Sequence, residues 1–169
     1  MTALAVLAEA FRYPAPGKLE RLEQMLLAVP DGKEKRALQR FLEGIRDLGL
    51  GEWEELYTRT WDLNPLTPPY IGFQIWGEDY RRGSFMARLQ AEYRRTGIDP
   101  AGELPDHLAP VLAYLDAAAQ PLPDLVEVFG QAVEKMAAAL RKRDAGNPYL
   151  HLLNGMAGLE QHLAGPASR

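Results

Sequence analysis

The sequence predicts an all-α protein folded as a single-domain helical bundle, and three observations carry that reading. Apolar residues recur at threes and fours along nearly the whole chain, the spacing of helices that bury one face. The alternation of a half-buried strand is missing. Proline or glycine stands where one periodic stretch gives way to the next, and these residues end helices and open turns. With 169 residues, 47% of them hydrophobic and 25% charged, such a chain can bury roughly 70% of the surface its unfolded state exposes. One domain over residues 1–164 is expected, with a frayed tail at 165–169.

The first third reads as three antiparallel helices. Leu4, Leu7 and Phe11 line the first, Leu19, Leu22, Leu26 and Val29 the second, and Leu38, Phe41, Ile45 and Leu48 the third. Pro14 and Pro16, Pro30-Asp31-Gly32 and Gly49 to Gly51 separate them. A fourth helix over 52–61 places Trp53, Tyr57 and Trp61 on one stripe, which is either core or an aromatic contact surface. The proline-rich connection from Asp62 to Tyr70 is too long for a tight turn, and Tyr70, Phe73 and Trp76 rim it; long connections of this kind often carry function. A long helix over 78–96 has Phe85, Met86, Leu89 and Tyr93 on its buried face and Arg81, Arg88 and Arg95 on another. That basic stripe is either a solvated face, offset by Glu78 and Glu92 three residues before an arginine, or an anion site. Helices over 105–119 and 124–143 follow, the second with a seam of Leu122, Val126, Phe129, Val133, Met136 and Leu140. A last helix over 148–164 is apolar on two sides and is expected to be largely buried.

A net charge of −4 does not suggest a nucleic-acid partner. Cysteine is absent, which fits a reducing compartment and removes thiolates from any list of nucleophiles or ligands. Met1 to Glu9 has no basic leader and only a short apolar run, so an export signal is not expected and the cytoplasm is. The uncharged runs 63–77 and 145–159 fall short of the about 18 residues a membrane span needs, so no membrane insertion is expected.

Little conventional catalytic chemistry is on offer. His151 and His162 share a helical face but stand about 16 Å apart along its axis, too far to share a metal. Serine occurs only at Ser84 and Ser168, in no nucleophile motif. What remains is Glu103-Leu104-Pro105-Asp106-His107-Leu108, three ionisable side chains at the expected start of a helix. Pro105 suits the first helical position, and the helix dipole favours Glu103 and Asp106. A partly cationic His107 is not favoured there, so cap, catalytic pair and docking surface all remain open. Asp106 and His107, as neighbours on a helix, would diverge by about 100°.

These residues, followed by Tyr114-Leu115, resemble the signature of the nitrate reductase delta-subunit (NarJ-type) chaperones, within the wider TorD/DmsD-like group that matures molybdenum enzymes. Tyr57, Trp61-Asp62, Leu66, Tyr70, Arg81-Arg82-Gly83, Leu89, Tyr93 and Gly97 occur in that family's order, with Trp61 where phenylalanine is expected. The resemblance implies a helical chaperone of the TorD-like type, not an enzyme, that serves nitrate assimilation by binding the N-terminal segment of an apo nitrate reductase catalytic subunit. It would support molybdenum cofactor insertion and delay membrane docking, binding no metal or cofactor of its own, as a monomer or a helix-exchanged dimer. Under that reading Tyr57, Trp61 and Tyr70 supply contact area, Asp62, Glu103 and Asp106 supply charge, Pro105 shapes the site, and His107 makes release respond to pH near neutrality.

Overall fold

The computed structural model describes residues 1–63 and 67–163. Among them are ten α-helices and no strand. α1 (Ala3–Ala10), α2 (Lys18–Leu27) and α3 (Lys33–Ile45) form the first third, and α4 (Leu50–Tyr57) continues into a π-helical turn (Thr58–Asp62). α5 (Ile71–Trp76), α6 (Tyr80–Thr96), α7 (Leu108–Ala117), α8 (Pro123–Arg143), α9 (Tyr149–Gly155) and α10 (Glu160–Leu163) complete the bundle. No helix among these residues is long and apolar enough to cross a membrane.

Helix α1 has Val6, Leu7, Ala8 and Ala10 buried and packs along α7, itself buried from Leu108 to Leu112. α3 lies on α9, while α8 packs on both α5 and α9. The α8 seam is buried at Phe129, Val133, Met136 and Leu140. At the centre stands Tyr149, ringed by Phe11, Phe41, Tyr57 and Trp61 with ring centroids 4.9–6.4 Å away, and its hydroxyl accepts from the Trp53 indole at 3.1 Å. The stripe of Trp53, Tyr57 and Trp61 is therefore core, and each such ring contributes about 2 kcal/mol or more through burial.

The π-helical turn has a local cause. Thr60 turns its hydroxyl back onto the Leu56 carbonyl (2.7 Å), and its own carbonyl accepts from the Thr67 hydroxyl (2.7 Å). The ladder widens by one residue, with Leu63 N–H reaching the Thr58 carbonyl at 2.9 Å. Asp62 and Leu63 are thereby carried outward to solvent.

The basic stripe of α6 is a solvated face. Arg81 pairs with Asp79 at 3.1 Å, Arg88 with Asp124 at 2.7 Å and Arg95 with Glu92 at 2.7 Å. The partner of Arg81 is Asp79, which also caps α6, and not Glu78, so the helix begins at Tyr80. Exposed pairs like these stabilise by less than about 1 kcal/mol each.

Three further expectations need correction. α7 starts at Leu108, so Pro105 is not its first residue and neither Asp106 nor His107 lies within the helix. The last helix is broken into α9 and α10, with Gly158 at φ 82° between them. Between the connection that ends at Tyr70 and the start of α6 stands a short helix, α5, that no apolar period announced. Leu66 of the family pattern and the tail at 165–169 lie outside the described residues.

Candidate functional site

The hexapeptide meets the proline-rich connection through backbone. Ile71 N–H donates to the Asp106 carbonyl at 2.8 Å and Leu108 N–H to the Pro69 carbonyl at 2.9 Å, an isolated antiparallel bridge centred on Tyr70 and His107. Proline lacks a donor but keeps its acceptor, so Pro69 can serve here. The Tyr93 hydroxyl, from α6, holds the Pro105 carbonyl at 2.5 Å.

Asp106 is fully buried. Its carboxylate accepts from Arg82 Nε (2.9 Å) and Nη2 (3.2 Å) and from Gly72 N–H (3.1 Å). A buried carboxylate is tolerated only when paired and hydrogen-bonded in this way. Gly72 is required by the same contact, because a Cβ there would lie 2.8 Å from Asp106 Oδ2 and 3.0 Å from Phe85. Arg82 in turn lies over the rings of Tyr70 and Phe73, with its guanidinium carbon 5.3 and 5.5 Å from the ring centroids. The charge of Asp106 is thus paired with Arg82 inside the fold.

His107 is the N-cap of α7. Its Nδ1 accepts from Ala109 N–H at 3.0 Å, so the ring proton sits on Nε2, which faces the Tyr57 hydroxyl at 3.5 Å and a Glu103 carboxylate oxygen at 3.8 Å. Burial, with a smaller contribution from the Arg12 charge, lowers the imidazole to about 4. The ring is neutral at neutral pH, and the expected pH response near neutrality is overturned. Neither Asp106 nor His107 has a free polar atom for hydrolytic chemistry.

Above this buried layer lies an acidic and apolar rim. Asp62 is exposed, and Glu103 and Tyr70 are half-buried. Leu63 is 72% exposed and Leu104 47%. Burial raises the Glu103 carboxyl, the charge of Asp62 raises it further, and Arg12 opposes both. Burial also raises Asp62. The two carboxylates therefore share one electrostatic patch.

Of the sequence-predicted site residues, the structure brings Tyr57, Tyr70, Glu103, Pro105, Asp106 and His107 together and sets Asp62 within electrostatic range of Glu103. Trp61 lies a layer deeper, edge-on to Phe11 at 5.8 Å, with no partner for its indole N–H among the described residues. Sequence reasoning assigned no role to Arg82, although it stands in the Arg-Arg-Gly of the family pattern, and it passed over Gly72, Leu63 and Leu104. No group of three or more potential metal ligands gathers among the described residues.

The profile of the family described as nitrate reductase delta subunit matches residues 26–152, a span holding the bridge, the Arg82–Asp106 pair and the rim. The nitrate reductase molybdenum cofactor assembly chaperone NarJ of Escherichia coli (strain K12) is 24% identical over 156 residues, covering 86% of this chain and 64% of that protein. NarJ of Escherichia coli O157:H7 matches to the same extent. This chain thus covers just under two thirds of the length of these curated relatives. With the match extending over well more than half of its residues, the chain belongs to the nitrate reductase delta subunit family.

Proposed function

We propose that the chain is an assembly chaperone for a nitrate reductase, binding the N-terminal segment of the apo catalytic subunit while molybdenum cofactor is inserted and before the enzyme docks at the membrane. Family membership and the NarJ relatives support the client class. The observation that carries the binding mode is the rim, where Asp62 and Glu103 share one patch flanked by Tyr70, Leu63 and Leu104.

Each carboxylate is partly desolvated, and Glu103 also feels the charge of Asp62. A lysine or arginine arriving between them relieves both costs, so a basic peptide gains more here than at an isolated acid. The apolar side of an amphipathic segment then covers Leu63, Leu104 and the face of Tyr70. Beneath, Asp106, His107, Tyr57 and Trp61 hold the geometry without touching the peptide. A chaperone must release its client, and micromolar affinity takes only about −8 kcal/mol.

Calorimetry with a synthetic peptide of the catalytic subunit's N-terminal segment tests this. We expect micromolar binding by the full chain and at least about tenfold weaker binding by Asp62→Asn/Glu103→Gln. Equal affinity in the double variant would overturn the reading.

A further inference from the structure

The segment joining α1 to α2 belongs to neither the hexapeptide nor the proline-rich connection, yet it is fixed against α4, whose Tyr57 meets His107 of the hexapeptide. Gly17, at φ 78°, turns the chain so that α2 opens on Lys18. The Lys18 side chain is buried, with only 4% of the residue exposed, and its Nζ donates to the carbonyls of Arg12 (2.6 Å) and Tyr13 (3.2 Å) while lying 5.9 Å from the Trp53 ring. A buried amine is costly, and burial lowers this one to about 8. The two carbonyls it clamps are what the arrangement gains.

What the clamp presents is Tyr13. The residue is 47% exposed, and its ring stands edge-on to Tyr57 at 5.2 Å and 75° and donates its hydroxyl to Glu54 at 3.1 Å. From there an unbroken run of rings crosses the site: Tyr57 to His107, and His107 edge-on to Tyr70 at 5.6 Å. Tyr13 ends this run on one side and Tyr70 on the other. The Glu54 carboxylate accepts from the Tyr13 hydroxyl at this end, the Glu103 carboxylate stands 3.8 Å from His107 Nε2 at the centre, and the charge of Asp62 reaches both Tyr13 and Tyr70. An exposed, pre-set tyrosine beside acids provides contact area at small entropic cost.

We propose that the docking surface extends onto the α1–α2 segment, with Tyr13 contacting a peptide that is both basic and apolar and Lys18 acting as the residue that positions Tyr13. The inference rests on the docking reading above and lengthens its footprint: three carboxylates, Glu54, Asp62 and Glu103, lie along one run of rings. A peptide whose basic residues are spaced along its length meets all three, whereas one with a single basic residue meets only the Asp62–Glu103 patch.

The same peptide and the full chain test it by calorimetry, with melting temperature read in parallel. Tyr13→Ala is expected to bind about tenfold more weakly with little change in melting temperature. Lys18→Met is expected to weaken binding in the wild-type background and to add nothing in the Tyr13→Ala background, the coupling expected if it acts through that ring. Full affinity in Tyr13→Ala beside weakened binding in Asp62→Asn/Glu103→Gln overturns the extension and leaves the docking reading standing. Undiminished affinity in both overturns both, as does a wild-type chain that does not bind the peptide. An additive loss in Tyr13→Ala/Lys18→Met overturns the positioning role, and if Lys18→Met fails to fold, Tyr13→Ala decides the contact alone.

Discussion

At position 107 a histidine does the work usually given to serine or aspartate at a helix start, and it can do so only as a neutral ring whose Nδ1 lone pair accepts from Ala109 N–H. Its ordinary value of 6.5 falls to about 4 in the fold. Between those limits the unfolded chain holds the extra proton, so the contribution is whole above about 6.5 and is lost as pH falls towards about 4, on the order of 3 kcal/mol. His107→Asn keeps an acceptor for the cap without titrating, and denaturant unfolding at a series of pH values should show the wild type losing the larger share of its stability across that window. Parallel curves would contradict the assignment. Asp106 makes the complementary case. Asp106→Asn leaves Arg82 largely buried with half its partner gone and is expected to cost about 3 kcal/mol in urea unfolding. An unchanged midpoint would contradict a structural role for the pair.

Among the elements, long helices with a strong apolar period were legible, because α3, α6 and α8 each bury one face and expose the other. What was not legible depends on contacts between distant segments. Pro105 suits a first helical turn, yet the bridge to Pro69 and Ile71 requires extended backbone through His107 and moves the start of α7 to Leu108. The π-helical turn was hidden because Trp53, Tyr57 and Trp61 keep a spacing of four, while the hydroxyl that meets the Thr60 carbonyl comes from Thr67, outside that period. α5 is only six residues long and follows two prolines, too short to show a period. Its register is held by Gly72, so Gly72→Ala should push Asp106 off Arg82 and cost about 1–3 kcal/mol by thermal or denaturant unfolding. A neutral Gly72→Ala would mean that the contact relaxes freely.

For the whole molecule, the family could be read from the hexapeptide and the residues that accompany it, but not which of its acids faces solvent. Burial is a property of the assembled bundle: Asp106 points inward to an arginine 24 residues earlier, while Glu103, three residues before it, reaches the rim. Tyr13 was invisible for the same reason, being brought to Tyr57 only when the segment after α1 meets α4 in the assembled bundle. The central claim is that buried acid builds the site and surface acid uses it. The most direct measurement is the affinity of the catalytic subunit's N-terminal peptide for Asp62→Asn/Glu103→Gln beside Asp106→Asn, each with its unfolding midpoint. The account predicts weak binding with an unchanged midpoint for the first and near wild-type binding by the folded fraction with a lowered midpoint for the second; the reverse pattern would contradict it.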